Sequence, residues 1–128
     1  MADSREVREW VQYAEEDWLL ALRGLEDLRS SAVHLLHQAS EKYLKAVLLQ
    51  EEDTLVRTHD LGVLVNALPG EGDDRPELVE AAILMNAALE ASRYPRGASV
   101  PDDQETAAIL EAARTLRSFA RSRLGLPD

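Results

Sequence analysis

The stretch from Ser31 to Glu51 constrains the fold more than any other part of the chain. Its apolar or small residues recur at Val33, Leu36, Ser40, Tyr43, Leu44, Val47 and Leu48, the three-and-four spacing of one helical face. Ser30 or Ser31 is expected to cap its start, because a hydroxyl oxygen can accept from a first-turn amide that lacks an intrahelical partner. Glu41 precedes Lys45 by four residues, the order in which an ion pair supports a helix. His34, His37 and Glu41 share a second face. Lys42 and Lys45 are the only lysines, against twelve arginines elsewhere, so their closeness singles this helix out.

The same period organises the rest of the chain. A first helix is expected from Ser4 to about Leu28, with Trp10, Ala14, Asp17, Trp18, Ala21, Leu25 and Leu28 on one stripe. Asp17 within that stripe predicts an edge position and a cationic partner on a neighbouring helix. The reversal at 28–30 is short, which predicts an antiparallel hairpin of helices one and two. A short third helix from about His59 or Asp60 to Leu68 turns Leu61, Leu64, Val65 and Leu68 inward, with Thr58 as its cap and Asp60 near its positive end. The segment 69–76 is rich in Pro, Gly and Asp and reads as a loop. A fourth helix opens near Pro76 and runs to about Arg93, with Leu78, Ala81, Ala82, Met85, Ala88, Leu89 and Ser92 on one face. Pro95 ends it, since the residue before a proline is pushed out of helical geometry. Asp102 or Asp103 caps a fifth helix to about Leu124, carrying Ala107, Leu110, Ala113, Leu116, Ala120 and Leu124 inward. Arg117, Arg121 and Arg123 lie at its negative end, where dipole complementarity explains them. No segment alternates with the period of a strand. The expected fold is an all-α antiparallel up-and-down bundle of four long helices plus one short helix, a single domain over residues 1–128.

Composition narrows the function. A net charge of −10 repels nucleic-acid backbones at long range, which argues against DNA binding and leaves only a local basic cleft for phosphate. The absence of cysteine excludes a disulfide framework and fits a reducing compartment. No segment reaches the apolar length of a membrane span, and Asp3, Glu6 and Glu9 stand where a signal peptide would be basic and then apolar. These features predict a soluble, cytoplasmic protein with no membrane contact.

Helical bundles often hold metals, yet the Glu-x-x-His pairs of di-iron bundles are missing, and three ligands on one helix (His34, His37, Glu41) do not complete a site. No nucleophile elbow, dinucleotide-binding glycine motif or Walker loop occurs. The reading is therefore no metal and no cofactor. Three features remain: the Glu41, Lys42 and Lys45 group, His59 opening helix three, and Arg93-Tyr94-Pro95-Arg96 closing helix four.

Together these resemble the HEPN domain (higher eukaryotes and prokaryotes nucleotide-binding). The resemblance rests on Trp10-x3-Ala14-x2-Asp17, Gln38-Ala39-Ser40-Glu41-Lys42-Tyr43-Leu44-Lys45-Ala46, His59-Asp60-Leu61-x2-Leu64 and Arg93-Tyr94-Pro95, in that order along nearly the whole chain. It implies a homodimer, a minimal nucleotidyltransferase partner in a toxin–antitoxin-like system, or metal-independent RNase activity. RNase members carry Arg-x4-6-His at the end of helix four. Here Arg93 is followed by no His through Val100, so the acid–base half of the motif is missing. The reading that follows is a non-enzymatic or weakly active module. It would bind a nucleotide or RNA phosphate through Lys42, Lys45, Arg93 and Arg96, or dock the partner. Asp17, Glu41, His59 and Pro95 would complete the family motif. The rivals are an RNase that replaces the missing imidazole with His37 or Tyr94, and an interaction scaffold. For single residues, Arg93 is either a helix-terminal cation or a phosphate contact, Tyr94 a packed ring with its hydroxyl at the rim, and His59 a structural histidine.

Overall fold

In a computed structural model that describes residues 4–70, 72–93 and 100–128, the chain forms five helices and, among the described residues, no strand. They are α1 (Ser4–Gly24), α2 (Arg29–Glu52), α3 (Leu61–Ala67), α4 (Arg75–Ser92) and α5 (Asp103–Arg123). Tyr94, Pro95 and Arg96 lie outside the described residues.

α2 is the central rod. It packs on each of the other four helices, while α4 also touches α3 and α5. Fourteen of its 24 residues are buried, among them four polar ones: His37, Ser40, Glu41 and Lys45. A helix enclosed on most sides loses the simple apolar stripe of a surface helix. Around it Trp18, Leu36, Tyr43, Leu44, Leu61, Leu64, Met85 and Leu116 join one core. Ala81 and Ala82 on α4 and Ala112 and Ala113 on α5 are buried small residues that let the two helices pack together.

Helix ends correct several expectations. α1 stops at Gly24, and Leu28 is 61% exposed instead of inward. A Cβ at Gly24 would meet Leu28 Cβ at 3.4 Å and Ala32 Cβ at 3.6 Å, ordinary contact distances, so space alone does not require glycine there. Neither Ser30 nor Ser31 caps α2. The cap position is Leu28, which offers no side-chain bond, and Arg29 braces the junction instead. Its Nε donates to Leu25 O at 3.1 Å, its Nη1 to Pro101 O at 3.2 Å and its Nη2 to Asp103 at 2.6 Å. At α3 the cap is Asp60 and not Thr58: its carboxylate accepts from Gly62 N and Val63 N, while the Thr58 hydroxyl accepts from Asp60 N. Asp102 caps α5 in a reciprocal box with Glu105. The inner face of α5 is Ile109, Ala112, Ala113, Leu116 and Ala120; Ala107 is exposed, and Leu110 and Leu124 are half-buried. Among the described residues no helix is long and apolar enough to cross a membrane.

Candidate functional site

Polar side chains of α2 spaced three or four residues apart run from exposed His34 through half-buried Gln38 and Lys42 to buried Glu41 and Lys45. At the buried end Glu41 is the hub. Its Oε2 lies 3.0 Å from Lys45 Nζ and its Oε1 2.9 Å from His59 Nδ1. Both Glu41 and Lys45 side chains are under one-tenth exposed, whereas the His59 ring is 79% exposed. The Lys45 ammonium also sits 5.8 Å from the centre of the Trp10 ring, a cation–π contact that helps compensate its lost hydration. Lys42 is matched separately, to Asp17 at 2.5 Å, which gives Asp17 the cross-helix partner its place in the stripe predicts.

His37 belongs to a different circuit. Its Nε2 is 2.9 Å from Asn86 Oδ1, which also accepts from Leu61 N at 3.2 Å, while Asn86 Nδ2 donates to Asp60 Oδ1 at 2.9 Å. One amide thus joins α2, α4 and the start of α3. Burial holds the His37 imidazole below its ordinary pKa, against the opposing pull of the Asn86 bond and the Glu41 charge. Asn86 carried no signal in the sequence, because it sits singly in a helix and its partners lie 25 and 49 residues away.

Arg117 and Arg121 are more than dipole-matching cations. Arg117 forms a two-pronged bond to Glu15 and lies 5.0 Å from the centre of the Trp18 ring. Arg121 donates to the Tyr43 hydroxyl at 2.9 Å, and that hydroxyl donates in turn to Glu15. Arg123 is bound to Glu51. All three arginines therefore brace α5 against its neighbours.

Arg93, at the close of α4, stands apart from the lysines. It lines an open groove of about 450 Å³ with Ser30, Ser31, His34, Leu35 and Ser92. Its side chain is 57% exposed, with Glu90 at 3.7 Å. Within one chain the structure therefore brings Arg93 to the start of α2, while Lys42 and Lys45 face Asp17 and Glu41 further along that helix. His34 lines the same groove, a placement hidden by a sequence separation of 59 residues. His37, offered as the replacement, is buried and bound to Asn86. Among the described residues no group of three His, Cys, Asp or Glu side chains converges as metal ligands do.

A family model for the HEPN domain matches residues 7–123. Among solved structures the chain is similar to TT1696 from Thermus thermophilus, at 24% identity and a TM-score of 0.79 over 91% of this chain and 97% of that one. It is also similar to ST0689, an archaeal HEPN homologue, at 18% identity and a TM-score of 0.69 over 92% of this chain and 97% of that one. At such identities the two structures speak for the fold alone. None of the curated proteins matches the chain.

Proposed function

Because the chain belongs to the HEPN domain family, we propose that it is a phosphate-binding module that takes a nucleotide or RNA phosphate between the start of α2 and the end of α4. The observation that carries this reading is the sharing of one groove by Arg93, His34, Ser30 and Ser31. An exposed guanidinium offers a planar fork for two phosphate oxygens, and hydroxyls and an imidazole can donate to the others. The first turn of α2 adds the positive end of its dipole, with no side-chain cap at Leu28 in competition. Lys42 and Lys45 are already matched to carboxylates, so in this reading Lys42 ties α2 to α1, Lys45 balances Glu41 within α2, and Arg93 makes the contact. Arg96, three residues further on in the sequence and outside the described residues, belongs to this reading by its charge alone. Homodimerisation and docking of a minimal nucleotidyltransferase partner form part of the same proposal, since two copies would offer two grooves.

His34 favours a second reading, RNA cleavage without metal. An imidazole beside an arginine supplies the proton-transfer group that the sequence after Arg93 lacks. One experiment addresses both. Nucleoside triphosphates and a short RNA should raise the melting temperature of the chain, and Arg93→Ala should abolish that rise. A rise that survives Arg93→Ala overturns the groove as the binding site. RNA breakdown that Arg93→Ala and His34→Ala each remove selects the second reading.

A further inference from the structure

The His59–Glu41 pair has the geometry of an activated imidazole, and the phosphate groove makes no use of it. None of its residues lines that groove. His59 gains no burial from its position, since its ring is 79% exposed. Nor does it cap α3, because Asp60 already accepts from Gly62 N and Val63 N. Its Nδ1 is nevertheless held 2.9 Å from Oε1 of a carboxylate that is only 7% exposed. Burying a carboxylate is costly, and Lys45 at 3.0 Å balances the charge. A carboxylate can only accept, so the proton of the neutral ring sits on Nδ1 and the Nε2 lone pair is left available. A buried, charge-balanced acid that fixes the tautomer and orientation of a solvent-facing imidazole is the arrangement by which a histidine is made reactive.

We propose that His59 is a phosphoryl-acceptor site, modified at Nε2 by an energy-rich phosphoryl donor such as an acyl phosphate, a phosphoramidate or a nucleoside triphosphate. In the step, the Nε2 lone pair forms an N–P bond while the bond from phosphorus to the leaving oxygen or nitrogen breaks, and its electron pair departs with the leaving group. The Nδ1 proton stays on the ring, and the positive charge that develops there faces Glu41. The surroundings tolerate the added charge. The neighbouring Asp60 Oδ1 is occupied by Gly62 N, Val63 N and the Asn86 amide, Glu41 is matched by Lys45, and Arg57 is exposed two residues earlier.

The chain holds its own controls. Among the described residues the exposed His34 hydrogen-bonds the Gln38 amide, at 3.3 Å, and no carboxylate, and His37 is buried. The folded chain is to be incubated with potassium phosphoramidate, and the three histidines followed by phosphorus NMR and by mass mapping. His59 should be phosphorylated at Nε2 at least about tenfold faster than His34, a modest share of what a positioned partner contributes, with His37 unmodified. Glu41→Gln should slow His59 to the rate of His34. In urea, where Glu41 is no longer beside the ring, wild-type His59 and His34 should react alike, a comparison that does not depend on the variant folding. A His59 rate in the folded wild type no higher than its rate in urea, or an unchanged His59 rate in a folded Glu41→Gln chain, overturns the proposal.

Discussion

Arg117 on α5 grips Glu15 on α1 with two nitrogens, Nε to Oε2 at 3.1 Å and Nη2 to Oε1 at 2.7 Å. The backbones of the two helices do not approach closely, so this fork, with the Tyr43 and Arg121 groups that share Glu15, braces them through side chains. Arg117→Ala should therefore cost about 1.5–3 kcal/mol in urea denaturation, the range for hydrogen bonds to charged groups. Arg117→Lys should restore only part of it, because an ammonium keeps the charge and loses the fork.

The same site sets a pH dependence. Burial pushes the Glu15 carboxyl up, but the bonds from Arg117 and Tyr43 and the charges of Arg117 and Arg121 outweigh it and hold the group below its usual value of 4.5. A carboxyl whose folded pKa is depressed adds stability that is full above the unfolded value and is lost as pH falls through the folded one. The stability gap between wild type and Glu15→Gln should be widest near pH 7 and should close below about pH 4.5. A gap that stays constant down to pH 3 would show that Glu15 acts by packing.

His37 predicts a second slope, nearer neutrality. Its folded pKa is lowered, chiefly by burial, so the unfolded chain binds the proton more readily. Stability from this group is full above the unfolded value of about 6.5 and declines as pH falls below it. Melting temperatures of wild type and His37→Gln, measured from pH 7.5 to pH 5, should differ in slope, with the variant flatter.

Much of this architecture was legible in the sequence, for identifiable reasons. Period and breakers placed all five helices, because each is either amphipathic or bounded by Pro, Gly or a capping Asp. The matching of Asp17 was legible too, since a carboxylate in an apolar stripe must find a cation. What failed were properties that belong to the assembled bundle. Leu28 became exposed because the reversal between α1 and α2 is braced by Arg29 and not by a serine cap. The groove of Arg93 and His34, and the Asn86 junction, join residues that only tertiary packing brings together, and no local pattern marks such pairs.

Asn86 is the sharpest test of that junction. Its carbonyl oxygen serves His37 and Leu61 N, and its amide serves Asp60, so Asn86→Leu strands two donors and an acceptor at once. Leaving buried polar groups unmade costs about 1–3 kcal/mol each at most sites, and the partly exposed Asp60 recovers some of this from water. A loss of about 2–4 kcal/mol is expected in urea denaturation. Asn86→Asp keeps the acceptor but turns a carboxylate toward Asp60. It should be less harmful at pH 4 than at pH 8, the opposite of the trend for the wild type.

Arg93 and His34 should behave in the reverse manner. Both side chains are exposed, the contact from Arg93 to Glu90 is long at 3.7 Å, and neither residue belongs to the core. Surface substitutions of this kind stay within about 0.5 kcal/mol of wild type. Arg93→Ala and His34→Ala should therefore melt within a degree or two of wild type in buffer alone, yet differ from it once nucleotide or RNA is present. If Arg93→Ala were instead to lower stability by more than about 1 kcal/mol without ligand, the arginine would be a brace for the end of α4. The groove would then lose the cation on which its phosphate chemistry depends.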